Sequence, residues 1–292
     1  MAIDRSEAGK AAAGAPASGP FMVAELGLSR FQPAHREEAA EQRRLEQDLG
    51  LALARGGLMV HYQPRVSMRS GRTVGAEALL RWRHPRRGMV PPSAFIPVAE
   101  RCGLITELGG WVLERACAEA ALWPDRIGLS VNVSARQLVD AALLPQVSAA
   151  LAGSGLAPRR LEVELTESML VGASIENLLT LSAVRDMGVG IALDDFGTGY
   201  ASLASLRHLP LTALKLDRSM IKGMLDEPEN LVIIRAMVEI GHALGLKVVA
   251  EGVETPEERD ALAELGCNEG QAYLFGRPMP GEALRKQLAD EA

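Results

Sequence analysis

The sequence predicts an α/β fold, a (β/α)8 barrel modified by an antiparallel first strand, and three observations carry that reading. Eight β-like runs recur along the chain. Most are separated by amphipathic helical stretches, and strands that alternate with helices build parallel sheets, which eight units close into a barrel. The first connection breaks the pattern, because Val66 and Val74 are separated by seven residues, SMRSGRT. A parallel crossover needs roughly a dozen residues or more, whereas a hairpin needs a few.

Taken in order, residues 1–34 open with MAIDRSEAGKAAAGAPASGP, which has charges and no apolar h-region and so does not read as a secretory signal. Its Ala, Gly, Pro and Ser bias reads as a disordered leader or the remnant of a linker. Residues 35–292 read as one domain, which begins with a helix over about 36–56. Leu45, Leu49 and Leu53 fall at helical spacing there, and a glycine pair stops it. The strands follow as LMVHYQPRV (58–66), VGAEALLRW (74–82), IGLSVNVS (127–134), LEVELTES (161–168), GIALDDFG (190–197), ALKLDRS (213–219), KVVAEGVE (247–254) and GQAYLFG (270–276). Helical stretches such as GWVLERACAEAALW and LVIIRAMVEIGHALGL lie between them, and Pro91-Pro92 reads as a rigid entry to another.

Composition narrows the function. A net charge of −6 and a pI near 5.5 argue against a nucleic-acid duplex as partner, since phosphate backbones call for basic stripes. Cys102, Cys117 and Cys267 lie far apart, giving neither a disulfide framework nor a zinc spacing. They read as small core residues in a reducing cytoplasm. No apolar run approaches the ~20 residues of a membrane span. The five histidines show no ligand spacing and read as structural or solvated.

Barrel chemistry sits at the carboxyl ends of the strands. Strand 2 brings Glu77, strand 3 Asn132, strand 4 Glu164 and Glu167, strand 5 Asp194 and Asp195, strand 6 Lys215 and Asp217, and strand 7 Glu251 and Glu254. Glu77, Glu164, Asp194 and Lys215 interrupt apolar runs where bare charge is costly. Carboxylates crowded in one pocket raise one another's pKa or bind a divalent cation. An all-oxygen set suits Mg2+ or Mn2+ rather than zinc. Adjacent Asp194 and Asp195 suit a bridge between two ions, and two-metal sites recur in phosphodiester hydrolysis. Arg81, four residues after Glu77, is a candidate phosphate fork. A lysine among carboxylates also fits enolate chemistry with Lys215 as base. The stretch LDDFGTGY mimics a kinase DFG triplet and the start of a dinucleotide loop. The first lacks its partner motifs, and Ser202 stands where the second needs glycine.

With these residues placed, the chain closely resembles the EAL domain family of bacterial cyclic di-GMP phosphodiesterases. GAEALLRW holds the Glu77-Ala78-Leu79 triplet, and HYQP, RHPRRGMVPPSAFIPVAE, SVNVSARQL, LEVELTES, LDDFGTGYASL, LKLDRS, VVAEGVET and LGCNEGQAYLFGRPMP follow the family's blocks in order over roughly 41–290. The resemblance implies a TIM-like barrel with an antiparallel first strand. It also implies opening of cyclic di-GMP to linear pGpG with two ions, Mg2+ or Mn2+. By the same resemblance Glu77, Asn132, Glu164 and Asp194 hold the first ion, and Asp194 bridges to a second completed by Asp195 and Glu251. Lys215 faces the attacking water; Glu77, Lys215 and Glu251 form the catalytic core. Arg81 contacts phosphate, Gln63 and Gln271 line the substrate, and Asp217 joins these contacts. Glu167 and Glu254 support the ligands, Glu167 by holding the loop DFGTGYASLASL. A homodimer paired through helices next to that loop is implied as well. A silent cyclic di-GMP receptor is the alternative, although no metal carboxylate is missing. Ala272, Asn268 and Ala201 stand where Gly, Asp and Ser are usual.

Overall fold

In the computed structural model the described residues are 31–170, 174–197 and 206–291, with the side chains of 31–39 and Pro228 also left aside. The chain divides into two units, 1–43 and 44–292. In the first, the described residues are helical; they begin the helix Phe31–Arg55, which starts earlier than its sequence pattern suggests. Gly56 and Gly57, both at positive φ, end it, as the glycine pair predicts.

The second unit is a closed barrel. Its staves are β1 (Leu58–Ser67), β2 (Thr73–His84), β4 (Gly128–Asn132), β5 (Leu161–Thr166), β6 (Gly190–Phe196), β7 (Ala213–Leu216), β8 (Lys247–Glu251) and β9 (Glu269–Gln271). The short strands β3 (Gly88–Val90) and β10 (Met279–Pro280) flank β2 and β1. From β2 round to β9 the barrel staves run parallel, and β1 closes the ring antiparallel to both β2 and β9. The seven-residue connection does form a hairpin: Gly71 N donates to Ser67 O at 2.8 Å and Ser67 N to Arg72 O at 3.0 Å.

Two strand readings need correction. GQAYLFG pairs only through Gln271, after which Phe275 and Gly276 both donate to Ala272 O and curl the chain away. RHPRRGMV, where the sequence pattern assigned no strand, forms a hairpin in which β3 pairs with β2 at Trp82, Arg83 and His84.

Alternation along each strand sorts the side chains. Leu161, Val163 and Leu165 of β5, with Leu129 and Val131 of β4, pack outward against the helices Leu104–Ala120 and Leu143–Ser154. Leu214 and Leu216 of β7 pack likewise against Pro228–Ala243. The intervening Glu162, Glu164 and Lys215 are left to the barrel interior and are buried. Trp82 is buried edge-on against Phe95, with centroids 5.6 Å apart. His84 is structural, its Nε2 3.1 Å from Asp48 and its Nδ1 accepting from Arg86 N and Arg87 N. Cys117 and Cys267 are buried, and burial pushes both thiols up to about 12. Cys102 departs from the core reading: it ends a surface helix and is exposed. Among the described residues no helix is long and apolar enough to cross a membrane.

Candidate active site

Strand register assembles the site. Gln63 pairs with Glu77 across β1 and β2, Asn132 with Glu164 across β4 and β5, and Glu251 with Gln271 across β8 and β9. Local sequence stops each strand at the mouth. Ser134 and Gln137 form a capping box just past Asn132, and Thr255 and Glu258 form another past Glu251. Asp217 caps the helix Arg218–Ile221, accepting from Ser219 N at 2.9 Å, and this bond outweighs burial to hold its carboxyl below the usual range.

Asp194 and Asp195 require a further device, since neighbours on a regular strand face opposite ways. The β6–β7 register slips between Leu193 and Phe196, the mark of a bulge, and Asp195 takes a left-handed φ of 56°. Asp195 N donates to Asp194 Oδ1 at 3.0 Å. The bulge re-aims a carboxylate at the cost of about 1 kcal/mol of backbone strain, which Asp tolerates better than most residues.

At the centre lies Lys215, 1% exposed. Its Nζ is 2.6 Å from Glu251 Oε1, 2.8 Å from Glu164 Oε2 and 3.1 Å from Asp194 Oδ1. Glu77 accepts from Asn132 Nδ2 on one oxygen and from Gln271 Nε2 on the other. Burial alone would lower the Lys215 ammonium, but Glu164, Glu77, Glu251 and Asp194 outweigh it and hold it well above its ordinary value. One cation cannot balance those four carboxylates. Burial, then Glu77 and Asp194, lifts Glu164 well above the carboxylate range despite the pull of Lys215. Burial pushes Glu251 up to about 7 against the same pull, and burial with Asp194 and Asp217 lifts Asp195.

Such a charge excess is what a divalent cation relieves. The donors present fit that role: Glu164 Oε1 is buried with no hydrogen-bond partner among the described residues, and so is Gln271 Oε1. Hard oxygen donors are the set that Mg2+ or Mn2+ takes. Among the described residues the carboxylates close on the ammonium and not on a ready-made cage of three or more ligands.

Two cavities flank the centre. One of about 410 Å3 is lined by Gln63, Gln271, Glu251, Glu254 and Tyr273. The other, about 430 Å3, has Arg81 and Asn132 beside an apolar wall that includes Leu79, Ile96 and Met169. Arg81 donates to Leu80 O at 3.0 Å. Glu254 is paired with Arg218 at the rim. Glu167 is buried at the start of the helix Glu167–Leu170. Of the loop DFGTGYASLASL assigned to it, residues 198–205 lie outside the described residues, as does Ala201. Sequence reasoning missed Tyr273, which is 63% exposed and carries the Arg277 guanidinium 4.4 Å from its ring centroid. Its signal was an aromatic placed two residues after Gln271. Asn268 proves to be a staple, its Oδ1 accepting from Val248 N at 2.7 Å.

The EAL domain family model matches residues 46–278. The chain belongs to the EAL domain family. This EAL domain is 43% identical over 267 residues to the bifunctional diguanylate cyclase/cyclic di-GMP phosphodiesterase MucR of Pseudomonas aeruginosa, covering 90% of the chain and 39% of that protein. It is 42% identical over 254 residues to the cyclic di-GMP phosphodiesterase NbdA of the same organism, covering 86% of the chain and 32% of that protein. The EAL domain thus spans about two fifths or less of these curated relatives. The solved structure of the PaMucR phosphodiesterase in complex with c-di-GMP is 44% identical with a TM-score of 0.78, covering 82% of this chain and 99% of that one. The Mycobacterium smegmatis DcpA EAL domain is 36% identical with a TM-score of 0.70, covering 80% and 98%.

Proposed function

We propose that this chain hydrolyses cyclic di-GMP to linear pGpG with Mg2+ or Mn2+, two ions per site. The observation that carries the reading is the buried charge imbalance, four carboxylates about one ammonium with Glu164 Oε1 unpartnered. The relatives' names supply the substrate class, and the MucR complex is the solved structure that supports it.

In this reading Glu77, Asn132, Glu164 and Asp194 hold one ion, and Asp194, Asp195 and Glu251 the other. Divalent ions held there would supply acidification of a water and neutralisation of phosphoryl oxygens for an in-line displacement. Water oxygen bonds to phosphorus, the bond from phosphorus to the 3′ oxygen breaks, and that oxygen leaves with a proton. Lys215, fixed by three carboxylates, offers its ammonium to the charge that develops on the phosphoryl group. Arg81 forks the non-reacting phosphate. Gln63 and Gln271, linked at 3.4 Å, line the cavity for one base, and Asp217, whose neighbour Arg218 lines that cavity, is assigned to the same substrate. Glu167 and Glu254 steady the strand ends.

Incubation of pure protein with cyclic di-GMP and Mg2+, Mn2+ or Ca2+ in parallel tests this. pGpG with the first two is expected. Ligand binding without product under every metal would overturn the enzyme reading in favour of a receptor. We further propose a homodimer, supported by exposed Val232 and Ile233 on the helix Pro228–Ala243. Residues 1–34 are proposed as a segment outside the catalytic domain.

A further inference from the structure

At the opposite end of the barrel lies a cavity of about 300 Å3 that the reaction does not use. Gly128, Leu161, Gly190 and Lys247, the first residues of β4, β5, β6 and β8, line it, so it opens on the barrel floor. Its size is at the lower end of small-ligand sites, roughly 300–1,000 Å3.

The charge around it does not balance. Five cationic side chains line the cavity against three carboxylates, a positive surplus in a chain whose net charge is −6. Two of the carboxylates are spent. Arg65 holds Glu162 and Glu269 at 2.7 Å each, and Lys247 holds the other oxygen of Glu269 at 2.9 Å. The third, Asp125, is 90% exposed and stands 3.4 Å from Arg160, where an ion pair contributes little. The Arg160 guanidinium is fixed from behind by the carbonyls of Ile127 at 2.9 Å and Ala120 at 2.7 Å. Arg126 and Arg159 line the cavity and form no direct salt bridge among the described residues, although Arg126 is near enough to Glu291 to help hold that carboxyl below its usual range. Burial and the neighbouring Arg159 lower the Arg160 guanidinium against the pull of Asp125, so like charges are crowded here. Planar guanidinium forks around one recess match phosphate oxygens bidentately.

We propose that the floor cavity binds a small phosphate-bearing anion, held by Arg126 and Arg159 beside the fixed guanidinium of Arg160, separately from the catalytic mouth. The inference goes beyond the catalytic reading and stands without it.

Pyrophosphate is the probe, added to the full chain in EDTA and at ionic strength matched with sodium chloride, with calorimetric titration and thermal unfolding as readouts. Guanosine monophosphate runs beside it, to separate a nucleotide phosphate from a free inorganic anion. Wild type and Arg81→Ala are expected to bind at least one probe and to unfold at a higher temperature with it. The Arg126→Ala/Arg159→Ala double variant should bind at least about tenfold more weakly, the loss of one charge-assisted hydrogen bond or more. Its turnover of cyclic di-GMP in probe-free buffer should equal wild type. Arg126→Lys/Arg159→Lys, which keeps the charge and loses the forks, should fall between. Binding that persists in the double alanine variant, that sodium chloride reproduces, or that Arg81→Ala abolishes overturns the site, as does no binding by wild type. A chain that binds pyrophosphate at its floor but makes no pGpG keeps this proposal and loses the catalytic one.

Discussion

Replacing Lys215 with alanine removes the cation that three carboxylates share at 2.6–3.1 Å. At an effective dielectric near 20, one unit-charge contact at about 3 Å carries roughly 5 kcal/mol, and desolvation of the ammonium cancels much of the sum. Breaking a buried pair of this kind leaves a net loss of about 3–5 kcal/mol. The pH dependence identifies the cause. Lys215 titrates above its ordinary 10.5, so its contribution in wild type is complete throughout the acid and neutral range. Without the ammonium, Glu251, already raised to about 7, and Glu164 move higher still. A carboxyl raised in the folded state binds protons more tightly folded than unfolded, so stability falls as pH climbs from 4.5 through the raised value. Urea unfolding in EDTA should therefore show the variant's deficit small near about pH 5 and full near about pH 8. Cyclic di-GMP turnover should fall much further than cyclic di-GMP binding. A deficit of equal size at both pH values refutes the charge account, and hydrolysis at the wild-type rate refutes the role given to the lysine.

Other substitutions probe separate parts of the structure. Asp194→Asn keeps the strand and one oxygen donor but should abolish metal-dependent turnover, measured as pGpG release across a Mn2+ titration. Asp195→Gly relieves the left-handed backbone at φ 56° and should raise stability by up to about 1 kcal/mol while lowering activity; loss on both counts would show that the strain argument is wrong. Arg65→Met strands Glu162 and leaves Glu269 to Lys247 alone, and should cost about 3–5 kcal/mol by urea unfolding. Burial opposes but Arg65 overcomes it, holding Glu162 below 4.5; that stabilisation is present above 4.5 and fades as pH falls, so wild type should lose its advantage over the variant on acidification. Val232→Glu should shift a light-scattering mass from dimer to monomer, and an unchanged mass removes that helix from the interface.

Most of the barrel was legible because its staves are apolar runs bounded by turn residues, and loop length alone exposed the antiparallel β1. The candidate ligands were legible because charge inside such runs is expensive. What the sequence concealed was which end of the barrel a charge serves. Glu162 and Glu164 sit two apart in LEVEL, both pointing inward, yet Glu164 reaches Lys215 near the mouth and Glu162 reaches Arg65 at the floor. Strand direction in three dimensions separates them, and one-dimensional alternation does not. Adjacency at Asp194-Asp195 was legible, but the backbone geometry that makes it usable was not. Adjacency suggested a shared face, which a regular strand forbids and which the bulge and the left-handed Asp195 supply.

Those two layers also explain why the proposed cation site falls where it does. Barrels of this kind usually fill their interior with branched apolar side chains. Here Arg65, Glu162 and Glu269 fill the lower layer, and Lys247 brings it close to neutrality. On the same strands, two residues further on, Glu164 and Gln271 begin an upper layer in which Glu77, Glu164, Asp194 and Glu251 face the single ammonium of Lys215. A balanced buried layer is satisfied within the fold. The layer above it can lower its energy only by taking up protons or cations, and near neutral pH, with Glu251 at about 7, a divalent cation competes directly for those carboxylates.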